Sequence, residues 1–218
     1  MNLLDWFFSI RINYKIFPHR IAKKLPLCIS HKTRCIGLRK NCIDIDGEIK
    51  RFMFSYGIVE GSVGEYGNRK NTLMFVGNGK LIIDGYSTFC QGAVVRVFDN
   101  ANLIIKNGSW FNADCTISCS KRIEIGQDFL AGWDVAIRDS DGHKLISAID
   151  SKVLNEDKDI IISDHVWVGA DTLISKGTIL PQNTVVAGRS LVNKEYIDEN
   201  IVLAGVPARI VKRNINWK

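Results

Sequence analysis

ISDHVW-VGADTL-ISKGTI-LPQNTV-VAGRSL-VNK, residues 162–194 read in sixes, is the stretch that decides the fold. Every block opens on an aliphatic residue: Ile162, Val168, Ile174, Leu180, Val186 and Val192. The fifth place is small or β-branched (Val166, Thr172, Thr178, Thr184, Ser190), and the second and third places favour turn-forming or solvent-seeking residues. The same grammar runs upstream, where Ile83 opens IDGYST-FCQGAV, Ile105 opens IKNGSW-FNADCT and Ile125 opens IGQDFL-AGWDVA. An amphipathic helix would need apolar residues at i, i+3, i+4 and i+7, and a half-buried strand would need strict alternation. Neither fits. A very short strand followed by a corner, three times per turn, does fit, with each coil stacked about 4.8 Å from the next. The opening aliphatic points inward and the small residue lets the chain turn beside it.

Outward from this core the chain changes character. Residues 1–26 form a basic segment predicted to be helical, with Pro18 and Pro26 as breaks. Residues 27–72 read as irregular early coils or a strand-rich cap, since an open β-helix end would expose unpaired strand edges. The β-helix proper is expected over 73–200, with a loop inserted at 138–161, and 201–218 as a closing tail.

Composition and charge bound the function. Of 218 residues, 46% are hydrophobic and 24% charged, which fits a globular protein. No stretch reads as a signal peptide or a membrane-spanning helix, so a cytoplasmic place is expected. Residues 1–40 hold nine Lys or Arg against the single acid Asp5, whereas the remainder sums to −2. A basic head on a near-neutral body suits an anionic membrane surface or a phosphate-bearing substrate, or simply a solvated segment packed on the core. No nucleic-acid partner is expected. The six cysteines match no zinc spacing and read as small apolar residues, so no metal is assigned.

The repeat breaks once, between Ile137 and Ile162, and a loop that interrupts a solenoid is where function tends to sit. It carries His143 in the run Asp139-Ser140-Asp141-Gly142-His143. Over roughly residues 75–215 the chain resembles the hexapeptide-repeat acyltransferases, in particular their sugar and polysaccharide O-acetyltransferases. The Asp-x-Asp-Gly-His segment and the following ISDHVWVGADTLISKGTIL carry that likeness.

The resemblance implies an all-β, left-handed parallel β-helix; the period alone does not set the hand. It also implies a homotrimer with each site between subunits, acetyl-CoA as co-substrate, a saccharide acceptor and His143 as catalytic base. A sugar hydroxyl must lose its proton as it attacks the thioester, and histidine can accept it near neutral pH. Asp139 or Asp141 would orient the imidazole or shape the turn. By the same likeness Ala187 and Gly188 would face the pantetheine arm, and Trp167 would flank the acyl end. Lys194, Arg209 and Lys212 would meet the coenzyme phosphates, and Arg189 stands where the family usually has glycine. Asn112 is a candidate for hydrogen bonding to the acceptor, or a turn former. His19 and His31 receive no role.

Three other functions have sequence demands of their own. A γ-type carbonic anhydrase needs three metal-binding histidines, and only His143 and His165 lie in the repeat. An antibiotic acetyltransferase would share the histidine, coenzyme and trimer. A non-catalytic β-helix scaffold would bind no coenzyme.

Overall fold

The structure is a computed structural model that describes residues 1–58 and 69–218. It is a left-handed parallel β-helix, triangular in section, whose strands fall on three parallel faces. One face begins with Leu27–Ile29 and runs through Phe54–Tyr56, Ser87–Phe89, Ser109–Phe111, Leu130–Ala131, Trp167–Val168 and Val185–Val186. The second runs from Arg34–Ile36 to Leu191–Val192, and the third from Ile43–Asp46 to Ile179–Leu180.

Why six residues make one side is visible in the register. On the third face Ile45, Ile83, Ile105, Ile125, Ile162 and Leu180 are successive partners in one inward stack. The openers Val168, Ile174, Leu180, Val186 and Val192 alternate from face to face, all fully buried. The fifth-place hydroxyls are buried too; Thr172 donates across coils to the Ala187 carbonyl, and the other three are satisfied at their own corners. Thr178, Thr184 and Ser190 donate to the carbonyls of Ser175, Pro181 and Ala187, each at 2.7 Å. The fourth place is where the chain turns: His165, Asp171, Gly177, Asn183 and Arg189 all have positive φ, from 56° to 75°. Arg189 therefore occupies a left-handed corner that glycine would fill without strain.

The corners are stapled from coil to coil by short polar side chains. Asn71 accepts from the Gly92 N–H at 2.7 Å, Asp99 from Asn78, Asn107 from Tyr86 and Asp164 from Gln127. Gly92, with φ 82°, sits so close to Asp114 that a Cβ there would run into its carboxylate. Early coils fill their core with rings instead of aliphatics: Phe89 stacks on Phe111 with centroids 4.0 Å apart, and Phe54, Tyr56 and Phe129 pack around them. The cysteines are free thiols; Cys115 lies in the core, where burial pushes its thiol up to about 12. Thiols held protonated in this way are poor nucleophiles, as their use as apolar filler implies.

The first coil's open edge is closed by a helix, α1 (Leu3–Ile16), whose buried face mixes Ile12 and Ile16 with polar residues. The Asn13 side chain both donates to the Leu27 carbonyl (2.8 Å) and accepts from the Leu27 N–H (3.1 Å). Ser9 accepts from the Ile29 N–H at 2.9 Å, and Asp5 accepts from the His31 N–H at 2.8 Å. Asp5, Ser9 and Asn13 lie four apart, so one helix stripe supplies the partners that a neighbouring strand would otherwise supply. The His31 ring adds a second contact, its Nδ1 2.6 Å from the Asp5 carboxylate.

Burial alone would raise the Asp5 pKa, but the bonds from His31 and Asn2 together hold it below the usual carboxylate value. A carboxylate with a depressed folded pKa stabilises the fold at pH values above its unfolded pKa. That contribution is lost as pH falls through the folded value. Thermal unfolding followed from neutrality to below pH 3.8 is therefore expected to show an acid-sensitive limb that Asp5→Asn flattens; an identical acid limb in the variant would refute this.

Two segments depart from the prism. Residues 139–159 leave the second face after Ala136–Arg138 and rejoin the third at Ile160–Ile162, forming a small hairpin bridged at Ile146 and Val153. At the far end, Ile201–Gly205 and Ala208–Arg213 form an antiparallel hairpin on the first face. The tail then returns, and the Trp217 ring stacks on His165 at 4.1 Å. The first coil strand is Leu27–Ile29, within the segment read as irregular early coils. Their long corners, at 37–42 and 47–53, hide the six-residue spacing from a sequence reading. Of the expected early segment, residues 59–68 lie outside the described residues.

Candidate active site

His143 sits near the start of the inserted loop, exposed. Its imidazole has no hydrogen-bond partner among the described residues. Its backbone is held firmly: Asn155 Nδ2 donates to the His143 carbonyl and to Asp141, both at 2.8 Å, while Asn155 Oδ1 accepts from the Leu145 N–H at 2.6 Å. Lys176, on the next coil, donates to Asp141 at 2.5 Å and to the Asn155 carbonyl at 2.9 Å. The Lys176 ammonium and Asn155 amide hold the Asp141 carboxyl below its usual pKa. A free imidazole on a tied backbone is an arrangement suited to a base that must meet a ligand.

Of the two readings for Asp139 and Asp141, orienting the imidazole or shaping the turn, the carboxylate bonds favour the second. Asp139 is fully buried, and its oxygens accept from the Ser120 and Lys121 N–H groups at 2.7 and 2.8 Å. Burial raises its pKa against those bonds. It is one more corner staple, like Asp164, and does not reach the imidazole. Asp141 anchors the loop to the following coil through Lys176. Asn155 and Lys176, which sequence reading passed over, are the positioning residues. Both are ordinary polar residues whose roles depend on contacts 14 and 35 positions away in the chain.

A cleft of about 680 Å³ lies between the loop and the second face. Its floor includes one outward ladder, Arg96, Ser118 and Arg138, in direct strand register. Arg96 and Arg138 are two rungs apart, about 10 Å at the usual strand spacing. Neither has an ion-pair partner among the described residues. Asp157 and the Lys176-bound Asp141 line the loop side. A neighbouring hollow of about 120 Å³ contains His143 and shares Ser140, Gly142 and Asp157 with the cleft. The arginines escape a sequence search because only the coil register aligns VVRV with VAIR.

The residues expected at the coenzyme are elsewhere. Trp167 is outward on the first face, 40% exposed, with Trp217 6.1 Å away. Ala187 and Gly188 form the next corner, and Gly169 packs beneath so closely that a Cβ on it would strike the Gly188 nitrogen. Lys194 and Arg209 line one cavity of about 490 Å³ with Tyr196, whose ring lies 5.1 Å from the Lys194 ammonium. Lys212 sits opposite Val202 on the terminal hairpin and does not line that cavity. This cavity and the one holding His143 share no residue. Asn112 uses its amide inside the chain, donating to the Ala131 carbonyl at 3.1 Å and accepting from the Trp110 indole at 3.2 Å. These bonds use one N–H and one lone pair of the Asn112 amide.

No family model matches the chain. Over 95 residues, or 44% of its length, it is 39% identical to a polysialic acid O-acetyltransferase of Escherichia coli. It is also 39% identical, over 106 residues and 49% of its length, to the polysialic acid O-acetyltransferase of Neisseria meningitidis. These matches span 31% and 49% of the relatives' own lengths, so the chain spans half or less of each. The crystal structure of the polySia-specific acetyltransferase NeuO superposes with a TM-score of 0.63 at 26% identity, covering 85% of this chain and 77% of that one. In its repeat, its coils and its relatives, the chain is similar to the hexapeptide-repeat acyltransferases, whose left-handed β-helix it shares.

Proposed function

We propose that the protein is an acetyl-CoA-dependent O-acetyltransferase acting on a hydroxyl of a surface glycan or its lipid-linked precursor. The observation that carries this reading is the His143 imidazole on a tied backbone, beside a cleft floored by Arg96 and Arg138, all three without a side-chain partner among the described residues. His143 takes the proton of the acceptor hydroxyl as that oxygen attacks the thioester carbonyl carbon. Backbone N–H groups stabilise the resulting oxyanion. Collapse of the intermediate breaks the C–S bond, and the CoA thiolate leaves and takes up the proton. Attack is direct, within a ternary complex, without an acyl-enzyme.

His143 and the cavity of Lys194 and Arg209 lie apart within one chain. We therefore assign each complete site to two adjacent subunits of a homotrimer, with Trp167, Ala187 and Gly188 beside the pantetheine arm. Lys194, Arg209 and Lys212 take the phosphates. Acetyl-CoA places the reaction in the cytoplasm; no described helix is long and apolar enough to cross a membrane.

Arg96 and Arg138 favour an acidic acceptor, in keeping with the polysialic acid named for the relatives. The test is release of free CoA thiol across acidic glycans, neutral galactosides and chloramphenicol. Acidic glycans are expected to be used best. Arg138→Gln should raise their KM roughly 10- to 100-fold, from loss of one charge-assisted pair, with little change in kcat. Turnover of chloramphenicol alone would move the reading to an antibiotic acetyltransferase. No coenzyme binding at all would leave a scaffold.

A further inference from the structure

The face of α1 turned away from the coils carries Leu3, Leu4 and Phe7, which are 70%, 61% and 57% exposed. Asp5, Ser9 and Asn13 are committed to the open strand edge and Ile12 and Ile16 to the core, which leaves Leu3, Leu4 and Phe7 facing away from both. Closing the edge asks nothing of those outward positions. A helix face that met only water would carry charged and polar residues there. Trp6 packs edge-on against Phe7, ring centroids 5.1 Å apart, and widens the apolar knob.

A cationic collar follows the knob. Arg11 and Lys15 continue along α1, and Arg20, Lys23 and Lys24 lie in and after the next short helix, all exposed. None of the five is in an ion pair among the described residues. The only acid in the first forty residues, Asp5, is buried against His31. Two copies of this surface would repel one another, whereas an anionic sheet of headgroups would attract it.

We infer that α1 docks the protein on an anionic lipid surface. Leu3, Leu4 and Phe7 enter the headgroup boundary, and Arg11, Lys15, Arg20, Lys23 and Lys24 pair with lipid phosphates. Apolar side chains on one side with Lys and Arg beside them are the composition of helices that lie in the interface plane. The inference is independent of the acetyl-transfer reading, because lipid binding is measured without acetyl-CoA or acceptor.

The experiment is co-sedimentation of the full chain with vesicles of phosphatidylcholine alone, or of phosphatidylcholine mixed with phosphatidylglycerol, at low and high salt. Wild type is expected to sediment with the anionic vesicles only, and to be released by salt. The Leu3→Ser/Leu4→Ser/Phe7→Ser variant should lose at least about tenfold in partitioning, from removal of buried apolar area. Arg11→Gln/Lys15→Gln should lose a similar factor while leaving the capping side chains in place. Circular dichroism melting of both variants at the wild-type temperature would show that the cap is intact. Equal sedimentation with neutral and anionic vesicles, or none with either, overturns the inference. So does a triple variant that binds like wild type. A fall in the solution mass of the triple variant by light scattering would give the face to a second copy, and overturns it as well.

Discussion

His143→Ala is expected to cut acceptor-dependent release of CoA by roughly 10²- to 10⁴-fold, the usual worth of a positioned general base. The loss should fall on kcat, with coenzyme binding unchanged. The imidazole contributes nothing to the loop: Asn155 holds the His143 carbonyl, not its ring, so the substitution leaves the backbone anchored. The variant should therefore melt like wild type, which separates lost chemistry from lost structure. Asn155→Ala offers the contrast, since it removes the bonds to Asp141, His143 and Leu145 together. A site shared between subunits makes one further demand. His143→Ala chains co-assembled with Arg209→Gln chains should regain activity that neither shows alone, because some interfaces then hold both intact halves. Undiminished turnover in His143→Ala would remove it as base, and no recovery on mixing would place the site within one subunit.

The largest effect on stability is expected at the cap. Asn13→Leu keeps the volume and helix preference roughly similar but strips both partners from Leu27, a residue with no exposed surface. A buried backbone group without a partner costs about 1–3 kcal/mol, so losing two should lower the unfolding free energy by about 2–5 kcal/mol. Tyr14→Ala, next along the helix and 46% exposed, should change it by less than about 1 kcal/mol. Urea unfolding of the two variants makes the comparison. Equal midpoints would mean that water replaces Asn13 freely and that the edge is not truly sealed. An unsealed Leu27–Ile29 edge is also a template for pairing with other chains, so the Asn13→Leu protein should aggregate more readily.

The sequence by itself determined the solenoid. Which residue points inward, from Ile83 to Val192, follows from a local pattern of short strand and corner, and that pattern is written in every block of six. The interruption after Ile137 was equally legible, because a break in a regular array is visible without knowing what fills it. The cysteines read as apolar filler because their spacing suits no metal and free thiols are commonly buried. Partnerships across coils were not legible. Asp139 and Asp141 stand two apart in one short motif, yet one staples a buried corner of the preceding coil and the other binds Lys176 of the next. Asn112 looked available and is spent on its neighbours. Arg96 and Arg138 become a pair only when the coils bring them onto one ladder. The helix α1 turns Asp5, Ser9 and Asn13 inward beside Ile12 and Ile16, because the surface it covers is partly an edge of strand N–H and C=O groups. Local spacing sets what a strand and a corner do. Tertiary structure decides which polar group each remaining side chain meets, since a hydrogen bond depends on a partner whose position in the sequence nothing local announces.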